Sequence, residues 1–533
     1  MIREGPRRRA CLIAAAAGGG ILVAAFPPYD LWPLAAVAPA PLFWVASRSG
    51  IRRRTAGLSG LAFGLVFFLG TVYWVVPVMQ RYGGIGWLTA VGVLLLLVGY
   101  LALFPTVFAL GVHRVARRHG PVEALAMAPL LWVGLELLRN HLFTGFPWVR
   151  LGTALHAFPP WLQLASVTGV YGLSGLLAGL AAAIAVLLDP HPGGGLRRPG
   201  GHAWAVAAVV AGVAAAALVW GATRGDGEGD GFRVACIQGN VDQSRKWDPR
   251  EAGRILQRHI RLSEQAIAAG AQLVIWSESA VPYPLRGAAG TAVRELAAAR
   301  RVPLVVGSLD WRTGPSGAQA VFNSAFLIGT DGEIRAAYDK VHLVPFGEYV
   351  PLQRLLSFVA PLVEEVGDLH AGSGAVVLRP GGGLPPLGVV ICYEVIFPEQ
   401  TRAATRGGAG VLLNLTNDAW FGRTAAPYQH FAEAVVRAVE TGRFLVRAAN
   451  TGISGVVDPR GRVRARSLLG EETIVMARVE ARHTVTPYVA VGDVFAWACV
   501  ILAAAVLLMP RSRASTEPEP STAPLSRTTR DGR

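Results

Sequence analysis

Eight apolar stretches constrain the fold of this chain most strongly. They lie near residues 10–26, 31–47, 56–79, 85–112, 122–138, 166–188, 203–220 and 487–509. A helix needs roughly 20 apolar residues to cross the hydrocarbon core of a bilayer, so the first two stretches are short but adequate. Of the 533 residues, 52% are hydrophobic and only 16% are charged, a composition typical of a membrane protein. We therefore expect an α-helical transmembrane bundle of about eight spans.

The distribution of positive charge predicts the orientation of these spans. The net charge is +15, and 18 arginines lie on one side of the predicted spans. They are Arg3, Arg7, Arg8, Arg9, Arg48, Arg52, Arg53, Arg54, Arg114, Arg117, Arg118, Arg197, Arg198, Arg511, Arg513, Arg527, Arg530 and Arg533. The opposite short loops carry only Arg81, Arg139 and Arg150. Arginine-rich loops stay in the cytoplasm, so both termini are expected there and residues 221–486 outside. The positive charge is therefore explained by membrane orientation, and we expect no nucleic acid partner.

The same pattern predicts four regions. Residues 1–220 form a bundle of seven spans with an outer aromatic loop at 139–165. Residues 221–486, which begin with a Gly-rich linker, form a soluble domain. Residues 487–509 form the last transmembrane helix, and the Pro/Ser/Thr/Arg-rich residues 510–533 form a disordered cytoplasmic tail. A cleavable signal peptide at the N-terminus is the alternative for the first span, although seven more spans follow in consistent register.

Short β-branched runs alternate with amphipathic helices in the soluble domain. The runs FRVACIQ, QLVIWSE, PLVVGSL, VFNSAFLIG, LGVVICYE, VLLNLTND and FLVRAAN are predicted strands. Segments 249–269, 289–301, 396–407 and 427–442 are predicted helices. This alternation indicates an α/β layered domain with helices outside a core of two sheets.

The outer loop at 139–165 has two equally weighted interpretations. It is rich in aromatics and proline and too interrupted to form a span, so it is either a packed re-entrant loop or a segment that contacts lipid substrate. Glu136, just before it, is one of few charges inside a span. Arg139 lies three residues later on the same helix face, and we expect the two to pair.

Three segments each place one chemically capable residue directly after an apolar, strand-like run. They are WSESAVP at 276–282, YDKVHLVPFGEYVP at 338–351 and VVICYEVIFP at 389–398, and the residues are Glu278, Lys340 and Cys392. A thiol can carry an acyl group as a thioester, an ammonium can favour the thiolate and bind an oxyanion, and a carboxylate can move the protons. A core cysteine, a surface glutamate and an exposed lysine are the structural alternatives for each residue alone. Together they predict acyl transfer through a thioester.

Lysine usage supports this prediction. The chain has 48 arginines but only two lysines, Lys246 and Lys340. Where basic residues are otherwise arginine, a lysine suggests a site that needs a compact amine whose pKa can move.

Further residues beside these segments have two interpretations. Glu348 is a second pocket carboxylate or an ordinary turn residue, and Trp420 and Trp247, each just past a strand, line an acyl-chain pocket or pack in the core. Tyr393 and Glu394 are polar neighbours of Cys392, which argues against a purely core role for the cysteine.

We expect no metal or diffusible cofactor. The four cysteines form no CxxC or metal-ligand spacing, which makes a zinc site or a disulfide framework improbable. His342 has no obvious Cys or Asp partner in sequence and is expected to be structural.

The three segments, in this order and spacing, resemble the nitrilase superfamily, whose members use a Glu–Lys–Cys triad in an αββα sandwich. With FPPYDLWPLA, LLRNHLFTGFPW, IQGNVDQSRKWDP and NDAWFG, about 500 residues resemble the apolipoprotein N-acyltransferase family of the bacterial inner membrane. The resemblance implies that Glu278 is the general base, Lys340 the oxyanion stabiliser and Cys392 the nucleophile. It also places Trp247, Glu348, Tyr393, Glu394 and Trp420 at family pocket positions. One departure is Ser277, where the family often has proline.

The resemblance implies N-acylation of the α-amine on the lipid-modified N-terminal cysteine of an apolipoprotein. The implied acyl donor is a membrane phospholipid, with phosphatidylethanolamine expected, and the implied scheme is ping-pong through a thioester on Cys392. The alternatives are a membrane-tethered amidase that hydrolyses a small amide and a non-catalytic membrane scaffold.

Overall fold

The computed structural model describes residues 5–188, 200–225, 231–281, 283–313, 319–345, 347–349 and 369–509. The predicted tail at 510–533, most of the loop at 189–202 and half of the linker at 221–230 therefore lie outside the described residues.

The N-terminal half is helical. Its helices are α1 (Gly5–Val23), α2 (Leu34–Val37), α3 (Ala40–Ser47), α4 (Arg53–Val72), α5 (Val75–Tyr82), α6 (Trp87–His119), α7 (Pro121–His141), α8 (Pro159–Leu162), α9 (Ala165–Leu187) and α10 (Gly201–Thr223). Among the described residues, five helices are long and apolar enough to cross a membrane: α4, α6, α7 with the turn that follows it, α9 and α10. The predicted stretch at 31–47 is broken into two short helices, so the total of eight spans stays a prediction.

Small residues let the helices of the bundle approach closely. A Cβ atom on Gly60 of α4 would lie 2.3 Å from the carbonyl oxygen of Pro105 in α6, and one on Gly64 would lie 2.6 Å from the ring of the same proline. Lipid tails are as apolar as the helix surfaces, so close van der Waals packing of this kind drives helix association in a bilayer.

The second half contains an α/β domain and two further helices. The domain's helices are α11 (Gln243–Lys246), α12 (Pro249–Ala268), α13 (Thr291–Arg300), α14 (Pro398–Arg406) and α15 (Ala426–Thr441). Its strands are β1 (Gly231–Gln238), β2 (Leu273–Trp276), β3 (Leu304–Thr313), β4 (Gln319–Ile328), β5 (Ile334–Asp339), β6 (Val377–Leu378), β7 (Leu387–Ile391), β8 (Val411–Thr416), β9 (Phe444–Ala449), β10 (Gly455–Val457), β11 (Val463–Arg466) and β12 (Thr473–Glu480). Helices α16 (Pro487–Val491) and α17 (Val494–Leu508) follow it.

Two six-stranded sheets form the centre of this domain. Their strand orders are β12-β1-β2-β3-β4-β5 and β11-β10-β9-β8-β7-β6. Strands β1, β2 and β3 are parallel, as are β7, β8 and β9. Buried side chains from both sheets pack together in one core, while α12 and α13 cover the outer face of the first sheet. The predicted fold class, an apolar helical bundle with an αββα α/β domain, is confirmed.

Helix α15 joins the domain to the bundle. All of its residues except Tyr428 are buried, including Glu433, Arg437 and Glu440. Arg150 of the bundle donates to Glu433 at 2.8 Å, with 0% and 2% of the two side chains exposed. Arg437 lies 3.1 Å from Glu440, whose other oxygen accepts from the backbone N–H of Val170 in α9 at 2.7 Å. Paired in this way, the charges are tolerated inside a dry interface.

The structure gives the two halves of the 139–165 loop different environments. Trp148 and Arg150 are 1% and 0% exposed and contact α15, as a packed loop requires. Phe143 is 84% exposed. The expected pairing of Glu136 with Arg139 is wrong, because no hydrogen bond or ion pair joins the two side chains among the described residues. One oxygen of Glu136 instead accepts from the Trp132 indole and from the backbone N–H of Leu151.

We predict that Arg150→Met lowers the free energy of unfolding by about 3–5 kcal/mol, because it leaves the carboxylate of Glu433 buried without its main partner. Chemical unfolding of the full chain in detergent measures the change. The matched control is Arg250→Met, which breaks the exposed pair with Asp248 and should leave the midpoint unchanged. The double variant Arg150→Met/Glu433→Leu should recover much of the loss. Equal midpoints for Arg150→Met and the control would contradict the prediction.

Candidate active site

The three residues of the predicted triad lie where strands end. Glu278 follows β2 by two residues, Lys340 follows β5 directly and Cys392 follows β7 directly. Strand β3 passes close beneath the Glu278 turn at Gly307, where a Cβ atom would lie 2.3 Å from the carbonyl oxygen of Ser277 and 2.8 Å from the Cα of Glu278. Glycine is therefore needed at 307 to keep the glutamate in place.

Lys340 binds two carboxylates inside the domain. Its Nζ lies 2.8 Å from Glu348 Oε1 and 3.6 Å from Glu278 Oε1, and the lysine is 1% exposed. Asn323 Nδ2 donates to the same oxygens of Glu278 and Glu348, at 2.7 and 3.3 Å. The second oxygen of Glu348 accepts from the Val344 backbone N–H, while that of Glu278 is buried and has no hydrogen-bond partner among the described residues. Glu348 thus fixes the ammonium, and Glu278 keeps one oxygen available for a proton.

The pKa shifts of Lys340 and Cys392 keep the amine charged and the thiol neutral. Burial alone would lower the pKa of Lys340, but Glu348 and Glu278 outweigh burial and raise it, so the amine stays protonated. Burial and then Glu278 raise the pKa of the Cys392 thiol, although Lys340 opposes them. The expected preference for the thiolate is therefore absent at rest. For this thiol to act as a nucleophile, a base would have to accept its proton.

The backbone at Cys392 is strained and firmly anchored. Its φ is +50°, a left-handed conformation that costs a non-glycine residue about 1–3 kcal/mol. Glu394 is 0% exposed, and its carboxylate accepts from the backbone N–H groups of Ile391 and Val341, at 2.6 Å each, and from the Tyr338 hydroxyl at 2.9 Å. Glu394 therefore ties the Cys392 turn to the segment after Lys340 from inside the domain.

A buried histidine holds the other side of the Cys392 turn. His430 of α15 places Nε2 3.1 Å from the carbonyl oxygen of Cys392 and Nδ1 2.9 Å from both Asp418 Oδ1 and an Arg447 N–H group. Burial and then Arg447 lower the pKa of His430. A carbonyl oxygen can only accept, so the contact at Nε2 is a hydrogen bond that His430 donates to the Cys392 carbonyl.

Lys246, the second lysine, lies at the same site. It is 2% exposed and its Nζ donates to the backbone carbonyl of Glu278 at 3.0 Å. Burial lowers its pKa to about 8, against the opposing effects of Glu278 and Cys392. Lys246 therefore supports the turn that carries the glutamate and adds a titratable positive charge.

Of the remaining candidates, Tyr393 and Trp420 contact the bundle, and Trp247 lies beside Lys246. The Tyr393 hydroxyl donates to the carbonyl of Gly145 at 3.3 Å, and Trp420 packs edge-on against Tyr82 of α5 with 4.9 Å between ring centroids. The Trp247 ring lies 6.0 Å from the ammonium of Lys246. His342 stacks on Phe397 at 3.8 Å, which fits its expected structural role. Tyr393 and Trp420 thus bring the membrane bundle to the rim of the site.

Several site residues escaped the sequence analysis. Asn323 lies in the strand-like run VFNSAF, where a buried polar side chain is the available signal, and no local pattern marks His430 or Arg447. Within the described ranges, no group of three or more His, Cys, Asp or Glu side chains could hold a metal ion.

The fold and the site define a class of protein: an α/β domain of the carbon–nitrogen hydrolase type built onto a membrane bundle. Residues 233–488 match the family model described as Carbon-nitrogen hydrolase, and residues 18–183 match the Apolipoprotein N-acyltransferase N-terminal domain. The chain belongs to the apolipoprotein N-acyltransferase family. It is a membrane acyltransferase that N-acylates lipoproteins.

Individual relatives agree over almost the whole length. An apolipoprotein N-acyltransferase of Geobacter metallireducens is 41% identical over 93% of this chain and 94% of its own. One of Bradyrhizobium diazoefficiens is 35% identical over 92% of this chain and 93% of its own.

Among solved structures, Nit3 of Saccharomyces cerevisiae, of the nitrilase superfamily, matches 47% of this chain and 90% of its own at 22% identity and a TM-score of 0.37.

We predict that His430→Leu slows acylation of Cys392 about 10- to 100-fold, because the turn loses the donor to its carbonyl and the thiol moves from its reactive position. His430→Gln keeps an N–H donor near the Nε2 position and should restore most of the rate. Single-turnover acylation followed by intact mass measures both variants. Equal losses in the two variants, or none in His430→Leu, would show that this hydrogen bond does not position the nucleophile.

We predict that acylation of Cys392 loses rate above pH 8 as Lys246 deprotonates. Below that pH its positive charge favours the anion formed at the thiol, and above it this help is lost. Lys246→Met should be slower by about tenfold or more at neutral pH and should lack the decline near pH 8. The exposed neighbour provides the control, since Arg245→Met should keep the wild-type profile. An unchanged decline in Lys246→Met would assign it to another group.

Proposed function

We propose that the protein transfers an acyl chain from a membrane phospholipid to a lipoprotein amine in two half-reactions through a thioester on Cys392. The observation that carries the proposal is the placement, at adjoining strand ends, of a buried thiol, a carboxylate with one free oxygen and an ammonium that stays charged. Phosphatidylethanolamine is the proposed donor.

In the first half-reaction, the sulfur of Cys392 attacks the ester carbonyl of the donor. Glu278 accepts the thiol proton as the S–C bond forms, and Lys340 stabilises the negative charge on the carbonyl oxygen. The C–O bond to the glycerol then breaks. The proton passes from Glu278 to the departing alkoxide, so a lysophospholipid leaves and a thioester remains.

In the second half-reaction, the α-amine of the diacylglyceryl apolipoprotein attacks the thioester carbonyl. Glu278 accepts a proton from the amine, the C–S bond breaks and the proton returns to the sulfur. An amide and the free thiol of Cys392 are the products. Glu278 serves both steps because each begins with loss of a proton from a nucleophile and ends with its return to a leaving group.

The proposed location is the inner membrane, with the α/β domain on its outer, periplasmic face and both termini in the cytoplasm. The arginine bias of the loops supports this orientation. Both substrates carry two acyl chains and stay in the bilayer, so a catalyst fixed to the membrane surface can reach them. The contacts of Tyr393 and Trp420 with the bundle support a site open toward the lipid.

Intact mass spectrometry of the full chain in phosphatidylethanolamine micelles tests the proposal. We predict one added long-chain acyl group on the wild-type protein that hydroxylamine removes, and its discharge to a diacylglyceryl lipopeptide. Cys392→Ala should remove the adduct and all transfer. Cys236→Ala is the matched control, because Cys236 is equally buried but lies inside β1, and it should retain both.

Two results would contradict the proposal. Transfer by Cys392→Ala at the wild-type rate would exclude the thioester. Release of free fatty acid, with no acylated lipopeptide, would favour the hydrolytic alternative.

A further inference from the structure

A cavity in the membrane bundle has an apolar wall with two charged residues in it. Its wall includes the aromatic rings of Phe63, Phe67, Phe68, Phe104, Phe108 and Trp132, together with Glu136 and Arg139 of α7. The cavity and its opening contain about 460 Å³ not filled by protein atoms. Charged side chains inside a membrane protein are rare, and they commonly mark functional sites.

Arg139 has no polar partner for its guanidinium in the described part of the chain. The residue is 3% exposed, and the guanidinium lies 5.4 Å from the centroid of the Phe68 ring. Glu136 is the charge of opposite sign on the same helix. One of its oxygens is engaged by Trp132 and Leu151, and the other is buried without a hydrogen-bond partner among the described residues.

A buried guanidinium needs acceptors. It presents five N–H donors in a planar fork, and leaving such a charge unpaired among aromatic rings inside a membrane protein is expensive. The fork fits the oxygens of a phosphate, and the apolar wall fits a hydrocarbon tail. A phosphodiester joined to acyl chains satisfies both parts of the cavity, whereas free phosphate satisfies only one.

The cavity adjoins the candidate active site through the loop after α7. Val149 and Leu151 of this loop line the cavity, and the carbonyl of Gly145 accepts from the hydroxyl of Tyr393, the residue after Cys392. Arg139 itself accepts, through its backbone carbonyl, from the N–H of Phe146 at 3.1 Å. A lipid held at Arg139 would therefore lie against the same loop that borders the nucleophile.

We propose that Arg139 binds the phosphodiester of the acyl donor. This role rests on the proposed function, and it gives the enzyme a way to distinguish the phospholipid donor from the lipoprotein acceptor. Both substrates carry acyl chains, but the diacylglyceryl group of the acceptor has no phosphate. Arg139 therefore acts in the first half-reaction and has no partner in the second.

The test compares two acyl donors on the full chain in detergent micelles. One is phosphatidylethanolamine, and the other is a p-nitrophenyl ester of the same fatty acid, which has no phosphate. Single-turnover acylation of Cys392 is followed for wild type, Arg139→Gln and Arg139→Lys. The matched control is Arg81→Gln, which removes an exposed arginine in the last turn of α5. Thermal unfolding of each variant verifies folding.

Arg139→Gln should lower the acylation rate with phosphatidylethanolamine about 10- to 100-fold, the loss expected when a charge-assisted contact is removed. It should leave acylation by the nitrophenyl ester, and discharge of the acyl-enzyme to a diacylglyceryl lipopeptide, within about twofold of wild type. Arg139→Lys keeps the charge but not the fork and should fall between them. Added inorganic phosphate should compete weakly if at all.

Four other results would contradict the proposed role of Arg139 or the proposed donor. Equal slowing with both donors in Arg139→Gln would make the residue structural, and no slowing with either would remove it from donor binding. Strong competition by inorganic phosphate would replace the lipid with the free anion as ligand. A wild-type enzyme that accepts the nitrophenyl ester but not the phospholipid would contradict the proposed donor itself.

Discussion

The junction between α15 and the bundle is the constraint on which the rest of the structure depends. A helix buried on nearly every side must satisfy its charges internally, and here Arg150 and the backbone of Val170 supply partners from the bundle for Glu433 and Glu440. The same helix carries Gln429, which accepts from the Trp148 indole, and His430, which donates to the carbonyl of Cys392. Adjacent residues of one helix therefore link the membrane half to the backbone of Cys392, and the junction supports one side of its strained turn.

The site separates fixed charge from mobile protons. Lys340 is held protonated by two carboxylates and serves as a constant cation, while Cys392 rests as a neutral thiol. A buried thiolate without a substrate would carry a desolvation cost throughout the resting state. In the proposed mechanism the sulfur becomes anionic only when an ester is present to accept its electrons and Glu278 to accept its proton.

The sequence was informative where local pattern and chemistry coincide. Seven β-branched runs correspond to strands, and the position of Glu278, Lys340 and Cys392 after strand-like runs places each at the carboxyl end of a strand. Glu278 and Lys340 follow strands of the first sheet and Cys392 follows a strand of the second, so the packing of the two sheets brings the thiol to the other two residues. Strands β5, β6, β10, β11 and β12 were missed. Strands β6 and β10 are only two and three residues long, β11 is largely exposed, and most side chains of β5 and β12 are only partly buried. His430 and Arg447 were missed for a different reason: their roles arise from long-range packing against Asp418 and Cys392. Asn323 also depends on tertiary contact, since it bridges two glutamates that lie far from it in sequence.

The charges around the sulfur bear on how the acceptor amine becomes reactive in the proposed second half-reaction. An α-amine has an ordinary pKa of about 7.7–8.0, so much of it is protonated and unable to attack at neutral pH. A protonated acceptor that approaches the acyl-enzyme meets Lys340 and, below pH 8, the charged form of Lys246. The carboxylates of Glu278 and Glu348 offset these charges, and the free oxygen of Glu278 can accept the proton that the ammonium must lose before it attacks. In the proposed scheme, Glu278 therefore activates the amine in the second half-reaction as it activates the thiol in the first.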